Sequence, residues 1–327
     1  MSLWSVYHEK MPEFLIDFCR TKPMQRLQGI GMNCGLEYTG FPRFAAGRTY
    51  TRYEHSVGVA LIVWHFTGDM AQSIAGLLHD IATPVFAHTI DFLNGDYEVQ
   101  ESTEANTATL IRTSEDIQNL LMRYGLSNEA VEDYHQYPIA DNDAPRLSAD
   151  RLEYTLSNAV YYGFCSRKEV AEMYANLSCA EEELVFKTPE LACRFARAAL
   201  QNARVYASDE DRFCMQALAD ILHTALEKGV LFWSDLYTTE RMVIEKLQED
   251  DCAHEAWKTF MGYNAILRAA ARPEEGVWYQ IPAKKRLIDP MIEGAGRVTA
   301  FSTELKEEMD AFLAEDFGVW LQGFYVK

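Results

Sequence analysis

Hydrophobic residues recur at helical spacing through most of the chain. Val57, Ala60, Leu61 and Trp64 mark a helix beginning near Tyr53, and Ile74, Leu77, Leu78 and Ile81 mark a second. Pro84 ends or bends that second helix, and His88 opens a further turn or short helix. Leu152, Leu156, Ala159 and Val160 repeat the period between about Arg146 and Tyr162. More helix is expected from Pro12 to Arg20, over 190–229 as one or two Ala-rich segments stopped by Gly229, and over 231–271. From Glu275 the texture changes: GVWYQIP, RVTAF and GVWLQGFYV are rich in aromatic and β-branched residues around a helix at Ser302–Asp316, which predicts two or three short strands. The fold class is mainly α, with a small C-terminal α+β appendage. The expected division is a helical core over 1–180, a helical extension packed on it over 181–272, and a small α+β region over 273–327.

Certain polar residues interrupt this pattern at a cost. An ionised Asp80 beside Leu77, Leu78 and Ile81 is expensive to bury unless a cation or hydrogen bonds compensate it. His79 is its neighbour, His55 lies 24 positions before His79, and Asp150 opens another apolar helical pattern. Two imidazoles and two carboxylates make a mixed nitrogen and oxygen donor set, suited to one divalent ion such as Mn²⁺, Fe²⁺, Ni²⁺, Zn²⁺ or Mg²⁺ rather than to a thiolate-loving centre. Four ligands on a six-coordinate ion leave positions for a water and a phosphate oxygen. Neighbours on a straight helix diverge by about 100°, so a break before Pro84 helps His79 and Asp80 face one point. Asp150, Tyr154 and Ser157 share a helix face, with Asn158 at its edge. That strip reads as a pocket wall, the alternative being a tyrosine that caps the bundle core.

Against this background the sequence resembles the HD-domain superfamily of metal-dependent phosphohydrolases, whose motif of a His, a later His-Asp pair and a distant Asp is read here as His55, His79-Asp80 and Asp150. The flanks MQRLQGIGMNCGLEYTGFP, TRYEHSVGVAL and ADRLEYTLSNAVYYG are similar to the deoxynucleoside triphosphate triphosphohydrolase branch, and AKKRLIDPMI resembles it more loosely. The resemblance implies an HD-domain helical bundle, a metal-activated water attacking phosphorus, and an oligomer. It also implies roles: Asp91, with His88 or Glu101, positions the water or protonates the leaving oxygen. Arg52 and Arg26, with Tyr154 and Asn158, meet the substrate. For Arg26 and Arg151 the competing reading is a surface arginine paired with a carboxylate; for His88, a buried histidine bonded to a backbone carbonyl; for Glu101, a surface residue opening a helix.

Departures from the branch are as informative. HDIATPVFAH places Thr83 where a second histidine is usual, Gln100-Glu101 stands where a His-Glu pair is usual, and Gly31-Met32 and Asn158 also differ. Threonine and glutamine do not shuttle protons near neutral pH as histidine does. His8, His65, His135, His223 and His254 are read as surface or satisfied core histidines.

Composition narrows the partners. The 327 residues, 48% hydrophobic, are enough for a large core. A formal charge of −19 opposes a nucleic acid polymer, but a metal and local arginines can dominate a pocket, so a small phosphate-containing substrate, in particular a nucleotide, remains. No apolar run is long enough to span a bilayer, and MSLWSVYHEKMPEF lacks a signal-peptide pattern; a cytoplasmic location is expected. The seven cysteines have no CxxC pair and are read as reduced thiols, and the acidic runs 181–183 and 249–251 as solvated faces. The leading function is a metal-dependent phosphohydrolase. The alternative is a catalytically silent HD protein that binds a nucleotide and acts through a partner, and a di-iron oxygenase ranks third for want of further ligands.

Overall fold

The computed structural model describes residues 2–44, 49–93, 106–180 and 182–326. Helix α1 (Arg52–Thr67) starts at a capping box: the Thr51 hydroxyl accepts from the Glu54 amide, and the Glu54 carboxylate accepts from the Thr51 amide. The sequence pattern gives α1 one apolar stripe, yet every residue from His55 to Val63 is buried. A helix that must be covered all round sits at the centre of its domain. It packs against α2 (Met70–Leu78) and α4 (Ala149–Tyr161). Between them comes the short α3 (Thr89–Leu93), followed after α4 by α5 (Pro189–Tyr206) and α6 (Asp209–Glu227). Two further helices, α7 (Glu240–Glu249) and α8 (Asp251–Gly262), pack on each other, and α6 packs on both α3 and α8. No helix among the described residues is long and apolar enough to cross a membrane.

Buried apolar side chains form two clusters. One joins α1, α2, α4 and α5 through residues such as Leu61, Leu77, Leu156 and Phe195. The other joins α3, α6, α7 and α8 through Phe86, Leu218, Val243 and Trp257. The mainly α class expected from the periodicity is what the chain adopts.

The strands are more numerous and more dispersed than the sequence predicts. Residues 265–269, expected as helix, form strand β3, because Ala265–Ala269 pairs antiparallel along its whole length with β7 (Trp320–Phe324). With β4 (Tyr279–Gln280) these make a sheet of order β3-β7-β4. Strands β1 (Leu177–Cys179) and β2 (Leu184–Phe186), which no sequence pattern predicts, join β5 (Met291–Ile292) and β6 (Gly296–Arg297) in the order β1-β2-β5-β6. Helix α9 (Thr303–Ala314) falls inside its expected span and packs on α5. Chain after residue 273 is thus hydrogen-bonded in both sheets to chain from before it.

One consequence corrects the reading of the acidic run 181–183. Glu182 is an exposed partner of Arg146, but Glu183 is buried between the sheet and α4, where it accepts two hydrogen bonds from the Arg297 guanidinium at 2.6 and 2.8 Å. Removing one partner of such a pair leaves the other charge with little solvent. Arg297→Ala is therefore expected to destabilise the fold by about 2 kcal/mol, read as a lowered urea midpoint; an unchanged midpoint would show that the four-stranded sheet holds without this ion pair.

Candidate metal centre and its cavity

Three helix ends meet at one point. His55 lies in the first turn of α1, where the Arg52 amide bonded to the Ile30 carbonyl fixes the helix start. His79 and Asp80 follow α2 in a tight turn in which the Thr83 amide donates to the Asp80 carbonyl. Asp150 stands in the first turn of α4, capped by the Ser148 hydroxyl. The turn after α2 begins at His79, ahead of Pro84, and directs both His79 and Asp80 inward.

The donor atoms converge. His55 Nε2 is 2.9 Å from Asp150 Oδ1 and 4.0 Å from Asp80 Oδ2; His79 Nε2 is 3.5 Å from Asp80 Oδ2 and 3.6 Å from Asp150 Oδ1. Adjacent ligands about 2.1 Å from one ion stand roughly 3 Å apart, so these spacings match a shared cation. The other ring nitrogens are already committed. His79 Nδ1 bonds the Gly76 carbonyl at 2.7 Å, and His55 Nδ1 bonds Glu153 Oε2 at 2.7 Å. With Nδ1–H spent on an acceptor, each Nε2 faces the same point as the two carboxylates, and a divalent ion there would take the lone pair in place of a proton.

Glu153 was not legible as a site residue. It is buried and receives the Tyr50 hydroxyl, the Ser157 hydroxyl at 2.7 Å and the Tyr7 hydroxyl at 3.3 Å besides His55. Its side chain lies flat on α1: a Cβ at position 58 would stand 2.6 Å from Glu153 Cγ, so Gly58 is what lets α4 approach. The available signal was spacing, with Gly58 three residues after His55 and Glu153 three after Asp150.

Electrostatics follow from this crowding. Burial opposes charge on His55, yet hydrogen bonds to Asp150 and Glu153 raise it to about 10. Asp80 is held well below the carboxylate range: burial would raise it, but Arg52, His79 and His55 outweigh burial. Arg52 Nη1 donates to Asp80 Oδ2 at 2.9 Å, while the Thr83 hydroxyl donates to Asp80 Oδ1 at 2.8 Å. Thr83 is buried and does not line the cavity. Its hydroxyl holds the Asp80 carboxylate in place.

The remaining expected residues separate. His88 lines the cavity, with Nδ1 bonded to Asp91 Oδ2 at 2.8 Å. Asp91 is fully buried behind it and does not reach the cavity. The turn delivering His88 is strained, since Phe86 and Ala87 have φ of 58° and 42°; it is held by the Phe86 amide on Glu240 and by the Val85 amide on the Leu236 carbonyl. Tyr154 and Asn158 line the cavity, Asn158 Nδ2 donating to the Tyr206 hydroxyl at 2.7 Å. Arg26, expected at the substrate, instead donates to the carbonyls of Ile81, Thr83 and Thr238 and stands outside the cavity lining. Glu101, like Gln100, lies outside the described residues.

The cavity above the donor atoms has a volume of about 630 Å³, within the range of small-molecule sites. Its walls also carry residues the sequence reading left out: Asn33, Asp141, Tyr206, Asp211, Lys284 and Arg286. His135, read as a surface or core histidine, is on the wall too, bonded to Asp133 at 3.0 Å. Burial pushes Asp211 up to about 8, against the lowering influence of Arg212 and Arg286.

With this geometry in view, comparison with known proteins gives a consistent answer. Residues 52–140 match the HD domain family, a span that holds His55, His79 and Asp80 and ends before Asp150. Over that span the chain is similar to the HD domain family. It is similar to the uncharacterised protein YdhJ of Bacillus subtilis, 28% identical over 285 residues, covering 85% of this chain and 83% of that protein. It is also 28% identical over 190 residues to the metal-dependent phosphohydrolase cns2 of Cordyceps militaris, covering 56% of this chain and about half, 53%, of the relative. Among solved structures it shares its fold with a phosphohydrolase from Bacteroides thetaiotaomicron (TM-score 0.63, 15% identity, 97% of both chains). A hypothetical protein from Aquifex aeolicus is similar in fold as well (TM-score 0.59, 17% identity, 97% of this chain and 93% of that one).

Two outcomes are expected. Glu153→Gln leaves the fold intact but weakens Mn²⁺ binding by about 10- to 100-fold, measured by calorimetric titration; equal affinity would mean that Glu153 does not orient His55 for a metal. Asp211 binds its proton more tightly folded, near pH 8, than at the ordinary carboxylate value of 3.8, so its contribution is full below about pH 4 and is lost as pH rises toward 8. Asp211→Asn should therefore raise the thermal midpoint more at pH 8 than at pH 5, and a pH-independent difference would refute the shift.

Proposed function

We propose that this chain is a metal-dependent phosphohydrolase acting on a small phosphate ester, in particular a nucleotide. The observation that carries the reading is the convergence of His55 Nε2, His79 Nε2, Asp80 Oδ2 and Asp150 Oδ1, with both Nδ1 atoms tied back, at the floor of a cavity large enough for a nucleotide. The phosphohydrolase name borne by the Cordyceps militaris relative supports it, as do the flanks that resemble the deoxynucleoside triphosphate triphosphohydrolases. His55, His79, Asp80 and Asp150 hold one divalent ion, which when bound lowers the pKa of a water and polarises a phosphoryl oxygen.

The protein's own groups do the rest. Arg52, anchored on Asp80 by one nitrogen, offers its remaining donors to the phosphate as charge develops. Arg151, held by Asn142 at 2.7 Å, also lines the cavity. Burial lowers the pKa of His88, only partly offset by its bond to Asp91, so the ring is neutral near pH 7. Its Nδ1–H is spent on Asp91, which leaves Nε2 as a proton acceptor for the attacking water. Asp91 is thus a positioning residue and His88 the catalytic one. Tyr154, Tyr206 and Asn158 supply ring faces and an amide for the rest of the substrate, the arrangement a heterocycle and sugar require.

The test is chromatographic product analysis of Mn²⁺-loaded protein with pooled ribo- and deoxynucleoside mono-, di- and triphosphates, beside Asp80→Ala. Turnover is expected to fall about 10²- to 10³-fold in the variant, and the released phosphate species identifies the bond cleaved. Nucleotide binding with no Asp80-dependent product would instead favour a binding protein that acts through a partner.

A further inference from the structure

The chain between β4 and β5, residues 281–290, has neither helix nor strand, yet it is fixed at both ends. At the start, β4 is paired with β7 and the Ile281 carbonyl accepts from the buried Arg212 guanidinium. At the end, the Asp289 amide donates to the Pro145 carbonyl at 3.0 Å and β5 is paired with β2. Ile281 and Ile288 are buried. The segment is a strap slung between the two sheets, across one side of the cavity.

Its side chains alternate, as extended backbone requires. Pro282, Lys284 and Arg286 line the cavity. Ala283 and Leu287 pack on the first hydrophobic cluster. Lys285 turns the other way, its Nζ donating to the carbonyls of Leu313 and Glu315 at 2.5 and 2.7 Å. Two of three consecutive cations are thereby committed to the cavity, roughly 7 Å apart along the strap. The Arg286 charge is felt at His88, Tyr154, Tyr206 and Asp211, which line the same cavity. Asp211, mostly protonated near pH 7, does little to cancel it.

We infer that this strap is an anion-binding arm, in which Lys284 and Arg286 hold the phosphate of the substrate against the metal centre from the side opposite the HD domain helices. The inference rests on the phosphohydrolase reading for its substrate, and it makes the C-terminal segment part of the binding site. Both side chains have neighbours within the protein, so binding exchanges one set of partners for another. Charge-assisted contacts to phosphate then survive as the net gain.

The probe is inorganic phosphate, titrated calorimetrically into Mn²⁺-loaded full-length protein. Lys284→Gln and Arg286→Gln should each weaken phosphate binding about tenfold while Mn²⁺ affinity stays within about twofold, as judged against an exposed control, Lys168→Gln. Arg286→Lys, which keeps the charge but not the fork, should fall between, and it serves if the glutamine variant does not fold. Unchanged phosphate affinity in the variants, or no phosphate binding by the parent protein, overturns the arm. The nucleotide assay separates this from the broader reading. Asp80-dependent turnover with phosphate binding indifferent to Arg286 removes the arm alone, whereas Arg286-dependent phosphate binding without turnover keeps the arm and removes the phosphohydrolase.

Discussion

The buried contact between His55 and Glu153 is the constraint on which the rest of the site depends. A carboxylate with 1% exposure is tolerated only with its oxygens fully engaged, and Glu153 is engaged by an imidazole and three hydroxyls drawn from the N-terminal segment, the loop before α1, and α4 itself. Satisfying that one group fixes the separation of α1 and α4. It also ties the His55 proton to Nδ1, so that Nε2 is the nitrogen left to exchange its proton for a cation. Gly58 permits the approach, and the same helix pair then carries His55 and Asp150 to within 2.9 Å. Fold stability and ligand geometry are in this sense one requirement.

Much of the candidate site could be read from residue order. His55, His79, Asp80 and Asp150 stood out because each puts charge into an apolar helical pattern, a cost that calls for an explanation; His55, His79 and Asp80 gather within reach of one cation, and Asp150 stands against both imidazoles. The helices around them were legible for the same reason, since period 3.6 persists over long runs. Glu153 was hidden because one more acidic residue on a helix already rich in polar positions carries no periodic signal. Its burial is decided by Tyr7, Tyr50 and Ser157, which are distant from it or silent on it in sequence. Arg26 sat inside a family motif and was read as a substrate contact; three backbone carbonyls claim its guanidinium instead.

β4 and β7 fall in the aromatic and β-branched stretches GVWYQIP and GVWLQGFYV where strands are expected, but β1, β2 and β5 escaped for another reason. β5 is two residues long, and β1 and β2 three, too short for alternation to register. What defines them is a partner remote in sequence, as when Phe186 sets its register against both Leu177 and Ile292. β3 is long enough to show a pattern, but AILRA follows a helix and contains good helix formers, so local propensity pointed the wrong way until pairing with β7 overrode it. The same non-local pairing stretches the 281–290 segment across the cavity, which is why cations from the end of the chain reach a centre built near its beginning.

Thr83 shows how a substitution read as a loss can instead relocate a function. Resemblance alone makes the absent imidazole a missing proton carrier. The position, however, is buried beneath Asp80, where a hydroxyl donates to one carboxylate oxygen while Arg52 donates to the other. An imidazole there would need more room than a fully packed turn offers, with Ile81, Val85 and Phe86 all at 0% exposure. The chain has a tightly held ligand at this point, and it keeps a separate histidine on the cavity wall. His88 is oriented by a buried aspartate and delivered by two consecutive residues at positive φ, a conformation that costs about 1–2 kcal/mol per residue. Strain of that size persists only where surrounding structure enforces it, and here the amides of Val85 and Phe86 are bound to the Leu236–Glu240 region. The position of the His88 imidazole is thereby set by packing from the second hydrophobic cluster, while the helices that carry His55, His79 and Asp150 pack in the first.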